Sequence, residues 1–451
     1  MNRIERYMKI KKSNLLSLLI LIPFFLWCFT AAGLSVYVYP SVTARVYTLF
    51  IPLVATLLIM SGKYLEFKIN LNTRELFAIL SCLVLFINNQ NFAHNNYSVE
   101  IAYIILIFIT IVLSRTKIWM DTFLKIVTLG GLIFSAFTLI CYISPSFYEG
   151  VIFPLFYTGG YNDLLINYQN GYIAGLTNHV SSNGCYLTLL IGISGCTLIT
   201  QKSKRMKWII IFITTVVSLL LTGKRAHTIF AIVALFITYW IFNSDRQRTR
   251  WVKVLGIGII AIVIFFVAVQ FVPELDNFIL KFSETAADGD VTKGRSNQSL
   301  LALSLFASSP IMGIGWDAYK YYYQNLTGVF LNVHNVYIQI LCESGLIGAL
   351  VYFTFFTLNI VHCIKVFRVL ALNKSRIGND KDAIRLSYSC FMQVFFLLYC
   401  LTGNPLYDSQ VVFPYMFCCA ISEYYYRTVR GRYLGRRPVY ENRDTNIPLS
   451  V

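Results

Sequence analysis

Residues 332–348 read NVHNVYIQILCESGLIG, a histidine and an asparagine at the lip of an apolar run that carries a glutamate nine positions beyond the histidine. The run continues as ALVYFTFFTLNIV, so the stretch 335–364 is long enough to cross about 30 Å of hydrocarbon, for which about 20 helical residues suffice. Eleven further runs of this kind lie near residues 15–38, 46–61, 75–88, 99–114, 122–143, 179–200, 208–222, 226–243, 251–271, 386–402 and 410–426. The 451 residues are 57% hydrophobic and 13% charged, with a mean hydropathy of +0.62, far from the balance of a soluble domain. The pattern predicts an all-α, polytopic integral membrane protein with about twelve transmembrane helices.

A net charge of +17 would suit a nucleic-acid binder, but the basic residues are scattered through short loops between apolar spans, which argues against a nucleic-acid partner. With the N-terminus placed in the cytoplasm, 31 of the 38 Lys and Arg residues fall on alternate loops of that side. That asymmetry follows the positive-inside rule and predicts an even number of spans with both termini cytoplasmic. MNRIERYMKIKKSN at the start resembles the basic region of a signal peptide; the apolar run after it is too long and has no small-residue cleavage site, so it reads as a retained first helix. The eleven cysteines lie in or at the edges of apolar spans and imply no disulfide framework; the adjacent Cys418 and Cys419 read as packing residues.

Five stretches follow: N-terminal helices 1–143, an outer loop and central helices 144–271, a large extracytoplasmic loop 272–334, C-terminal helices 335–427, and a cytoplasmic tail 428–451. Loop 144–178 is dense in aromatics without Lys or Arg; such rings either stack on sugar faces or form an interfacial belt. Loop 365–385 is basic and reads as a topogenic connector facing lipid. In loop 272–334, Ser296 to Ser309 forms an apolar helical stripe bounded by Gly294 and Pro310, which predicts a short amphipathic helix on or dipping into the membrane. No phosphate-binding Walker loop, dinucleotide fingerprint or HExxH zinc pair is present, which argues against nucleotide-driven chemistry.

Seven basic residues break the charge rule: Arg45, Lys224, Arg225, Lys281, Lys293, Arg295 and Lys320. Lys224 and Arg225 occupy TGKRAH, a very short outer turn where a charge pair opposes insertion. Arg295 starts the amphipathic stripe, where a helix N-terminus adds backbone N–H groups to a guanidinium and suits an anion. His334 stands at the outer start of the tenth span. Two arginines and a histidine are what a site needs if it neutralises a diphosphate leaving group and takes a proton from a hydroxyl nucleophile, because guanidinium is always charged and grips phosphate oxygens in pairs while neutral imidazole is a base near neutral pH. Glu343 cannot share a helix face with His334 but shares one with Gln339, and reads as a buried structural acid bonded to a neighbouring element. Gly345 and Gly348 permit either close packing or a break in an overlong span.

This constellation resembles the O-antigen ligase and polymerase superfamily, which includes the Wzy-type polysaccharide polymerases. HNVYIQILCESGLIG at 334–348 is similar to the family pattern HNxYxxxxxExGxxG, and TKGRSNQSLLALSLFASSPIMGIG at 292–315 is similar to its T-x-G-R and P-x-x-G-x-G elements. TGKRAH resembles the upstream arginine turn, with Lys224 where many members carry serine and His227 as an added basic group; GLTNHVSSNGCYL at 175–187 resembles the opening of the C-terminal half of many polymerases.

The resemblance implies a GT-C-like, metal-independent, inverting glycosyltransferase with no cofactor. Its substrate would be undecaprenyl-diphosphate-linked glycan on the outer face of a bacterial inner membrane, and membrane lipid, a chain-length regulator and a flippase would be its partners. It assigns catalytic roles to His334, Arg295 and Arg225 and substrate binding to Lys224, His227, Asn335, Gly294 and His179. The GLTNHVSSNG segment and the overall size favour polymerisation of repeat units into O-antigen, capsule or exopolysaccharide, with ligation to lipid A core or protein as the alternative. A multi-span transporter is the alternative from another class, and it would bury its charges near mid-membrane between repeated halves.

Overall fold

A computed structural model describes residues 14–26, 49–61, 71–90, 97–156, 158–201, 205–243, 295–372 and 380–433. Gly294, Arg45, Lys281, Lys293, the expected span near 251–271 and the tail beyond 433 lie outside the described residues. Every regular element described is a helix: α1 Asn14–Leu26, α2 Phe50–Ser61, α3 Thr73–Gln90, α4 Tyr97–Leu113, α5 Met120–Ile143, α6 Thr158–Gln169, α7 Val180–Thr200, α8 Arg205–Leu221, α9 Arg225–Phe242, α10 Arg295–Ser308, α11 Tyr319–Thr327, α12 Val336–Leu372, α13 Asp380–Tyr399 and α14 Ser409–Tyr433. Among the described residues, four helices are long and apolar enough to cross a membrane, at Met120–Ile143, Val180–Thr200, Arg225–Phe242 and Val336–Val369. Apolar side chains point outward along them, among them Leu129 and Ile133 on α5, Ile232 on α9 and Leu350 on α12, as hydrocarbon surroundings require and water does not favour.

α7 is the central helix, packed against α5, α8, α9, α13 and α14. Small residues make the approach possible: a methyl group on Gly192 would run into the Phe391 ring of α13, and one on Gly195 into Leu235 of α9. The basic stretch 365–385 differs from the expected loop. α12 runs on to Leu372 and α13 begins at Asp380, so most of it is helical. The aromatic loop 144–178 contains three helical turns, Pro145–Phe147, Tyr148–Ile152 and Phe153–Leu155, followed by α6. Tyr148, Phe153, Tyr161 and Tyr168 pack edge to face on one another there.

The overlong tenth run is resolved by a break. Gly345 takes φ 63° and ψ −165° inside α12, a left-handed conformation that only glycine adopts cheaply. A break within a membrane helix frees backbone groups that hydrocarbon cannot satisfy. Residues 310–315, PIMGIG, satisfy them: Ile314 and Gly315 donate their N–H to the carbonyls of Cys342 and Glu343 at 3.0 Å each, while Leu346 and Ile347 donate to Pro310 and Ile311 at 2.9 and 3.3 Å. The two backbones touch so closely that a Cβ on Gly313 would collide with Glu343, and one on Gly345 with Ile311. The two glycine motifs, with Gly313 and Gly345 thirty-two residues apart in sequence, are one physical joint.

Candidate functional site

The starts of α7, α9, α12 and α14 and the end of α13 meet at one end of the bundle. Ile173 donates its N–H to Leu221 at 2.9 Å, tying the segment before α7 to the turn that holds Lys224 and Arg225. His179 caps α7, its Nδ1 accepting the Ser181 N–H at 3.1 Å. α12 is sewn to the loop after α13: the Val336 N–H reaches the Cys400 carbonyl at 2.9 Å and Asn335 Nδ2 the Leu401 carbonyl at 3.3 Å. Asn335 also caps α12 through its Oδ1, which accepts the Ile338 N–H at 3.2 Å.

Cationic groups of two separate elements act on the imidazole of a third. Burial, then the Arg295 guanidinium, then the Lys224 ammonium push His334 down to about 4. Burial, and after it Arg295, push Lys224 down to about 8. Burial and Lys224 likewise push His179 down to about 4. Lys224, Arg295 and His334 are therefore within electrostatic reach of one another and His179 within reach of Lys224, and both histidines are neutral near pH 7. Arg225 follows Lys224 in the same turn, half-buried at the first position of α9.

A neutral imidazole between fixed cations accepts a proton, and the cations hold an anion. An anion that neutralised Arg295 and Lys224 would also remove the part of the His334 depression that these charges cause, leaving that of burial, and make it a stronger base. The charge of the leaving group and the removal of a proton are thereby linked through the same side chains.

His227 is placed differently from its neighbours. It is 1% exposed, with its ring 4.5 Å from that of Tyr399 and its Nε2 3.4 Å from Cys185 Sγ, a packing position beneath the turn.

Glu343 is fully buried and forms a node. Its carboxylate accepts the Asp317 N–H at 2.9 Å, the Tyr319 N–H at 3.3 Å, Gln339 Nε2 at 3.0 Å and the Tyr407 hydroxyl at 2.5 Å. Tyr407, Tyr319 and Trp316 are absent from the residues the sequence singles out, and so is Asp408, whose carboxyl burial pushes up to about 6 at the head of α14. In a chain with 30 tyrosines and no alternating or helical pattern across 400–408, nothing local marks them. Among the described residues no group of three or more His, Cys, Asp or Glu could hold a metal ion.

Residues 209–353 match a family model described as O-antigen ligase, about a third of the chain. The match supports the O-antigen ligase and polymerase superfamily and covers the Lys224 turn, α10, the 310–315 joint, His334 and Glu343. No curated protein matches the chain. The matched model and the long apolar helices among the described residues together support a membrane protein related to the O-antigen ligases.

Proposed function

We propose that this protein polymerises polyprenyl-diphosphate-linked oligosaccharide repeat units into surface polysaccharide on the outer face of a bacterial inner membrane, with about twelve spans and both termini in the cytoplasm. The observation that supports it most is the grouping of Lys224, Arg295 and His334, from three separate elements, at one end of the bundle. Arg295 and Arg225 grip the diphosphate of the donor, Lys224 adds charge, and His334 faces the acceptor hydroxyl.

In the reaction the acceptor oxygen attacks the anomeric carbon from the side opposite the leaving group. The sugar–phosphate C–O bond breaks, polyprenyl diphosphate departs with the electron pair, and the hydroxyl proton passes to His334. The configuration inverts, and fixed guanidinium charge meets the growing negative charge of the leaving group. Asn335 and His179 border the same space, and Gly294 precedes Arg295 in the sequence.

The description of the matched family favours a second reading, ligation of the finished glycan to lipid A core or protein. The two part on the acceptor. Full-length protein in nanodiscs, given a lipid-diphosphate repeat unit alone, yields a ladder of chain lengths if it is a polymerase. If it is a ligase it yields product only when a core acceptor is added. Arg295→Ala, Arg225→Ala and His334→Ala should each leave the starting lipid unconverted at normal protein levels; wild-type product from all three would end this reading. A chain-length regulator and a flippase are the partners that polymerisation would call for.

A further inference from the structure

The node at Glu343 has two arms that end at opposite sides of the candidate site. On one, Gln339 Nε2 bridges from the carboxylate to Asn332 Oδ1, at 3.0 and 3.2 Å, two residues before His334. On the other, Tyr319, whose N–H the carboxylate accepts, turns its own hydroxyl to the Gln298 carbonyl at 3.0 Å, in the first turn of the helix that Arg295 begins. Arg295 and His334 are thus tied to a single buried carboxylate that touches neither.

Tyr407 reaches that carboxylate from another element, the loop between α13 and α14. Its hydroxyl donates to Glu343 Oε2, and its ring stacks on Trp316 with centroids 4.8 Å apart and planes at 20°. Trp316, itself buried, has Tyr352 of α12 on it at 5.7 Å. Asp317, next to Trp316, holds φ 60° and pairs with Lys320, so the connector from α10 to α11 is fixed in an unusual backbone conformation at the place where Tyr407 and Glu343 grip it.

We propose that Tyr407 is a positioning residue of the glycosyl-transfer site: by closing the Glu343 node it sets the separation between the Arg295 segment, which holds the leaving group, and the His334 segment, which meets the acceptor. The proposal rests on the transfer reaction above. A hydrogen bond to a buried carboxylate is among the stronger neutral-donor bonds, and a small displacement of groups that must meet in the transition state reduces turnover more than binding.

The test uses the full-length protein in nanodiscs with a lipid-diphosphate repeat unit. Tyr407→Phe, which keeps the ring on Trp316 and removes only the hydroxyl, should lower kcat about tenfold and leave KM within about twofold. Glu343→Gln should do likewise. The double variant should be no worse than the poorer single one, because both remove the same link. Tyr319→Phe, which cuts only the arm to α10, should show the same split of kcat from KM and covers the case in which Tyr407→Phe does not accumulate.

Hydrogen exchange gives a reading that does not depend on turnover: the amides of Asp317 and Tyr319 should exchange faster in Tyr407→Phe. Wild-type kcat in both tyrosine variants, multiplicative losses in the double variant, or unchanged exchange at those amides would each overturn the positioning role. An inactive wild-type protein whose Tyr407→Phe variant still loosens those amides would count against the transfer reaction and leave the brace standing.

Discussion

His334 is neutral because it is buried and because Arg295 and Lys224 act on it. Its pKa lies near 4 and that of Lys224 near 8, both below their ordinary values. The signs follow from charge: below about 4 the imidazole is protonated and cannot take a proton, and above about 8 the lysine loses the charge that holds an anion. For the free protein, kcat/KM should therefore be level between these limits and fall on both sides. Lys224→Met should raise the acid limb, since one of the charges that lowers the histidine is gone. A limb that stays in place would mean that Lys224 does not act on His334.

Arg295→Lys tests geometry at the same site. An ammonium keeps the charge but not the fork, so a loss of about a hundredfold in kcat/KM is expected, against near-full activity if simple attraction sufficed. These residues were legible in the sequence because each defies an insertion rule: in the expected topology Lys224, Arg225 and Arg295 fall on the side where positive charge is rare. Tyr407 defies no rule, and its role exists only through its contact with a glutamate sixty-four positions earlier.

Among elements, the broken helix α12 is the one that the sequence left undecided. Gly345 and Gly348 allow either a tight contact or a break, and only the 310–315 segment, brought alongside by α10, decides between them. Gly345→Ala must place a methyl group against the Ile311 backbone at φ 63°, and should lower the thermal unfolding midpoint and abolish activity together. Gly130 in α5 has nothing within 4 Å of a Cβ, so Gly130→Ala should be neutral or stabilising by up to about 1 kcal/mol from helix propensity alone. The pair measures joint against propensity in one thermal-shift experiment. Gly313→Ala should resemble Gly345→Ala, since it presses on the same contact from the other side.

Across the whole molecule, the end remote from the site is held by charge. Glu75 at the head of α3 accepts from Arg115 at 3.3 Å and pairs with Arg427 of α14 at 2.5 Å. Glu423 on α14 meets His362 of α12 at 2.8 Å and Arg427 at 3.1 Å, and Asn72 also donates to it. Arg385 joins α13 to Asp121 of α5 at 2.6 Å. In the sequence Arg74, Arg115, Arg385 and Arg427 belong simply to the 31 basic residues of the expected cytoplasmic side. A tally of loop charges sees which side a cation is expected on but not whether it faces lipid or a carboxylate on another helix, which is why the helical, apolar character was legible and this cluster was not. Because Glu75 and Arg115 are both shielded from solvent, Glu75→Ala should destabilise the protein by on the order of 3 kcal/mol, far more than loss of a surface pair. An unchanged unfolding midpoint would show that the cluster contributes little.

The seam between Asn335 and Val336 and the loop after α13 has a temporal meaning. That loop and Tyr407 are made after every charged group of the site, so a nascent chain already possesses its cations and its imidazole while the strut that sets their spacing is still inside the ribosome. Under the transfer reaction proposed above, full turnover arrives only with that loop, and a chain that stops short of it should work at a reduced rate.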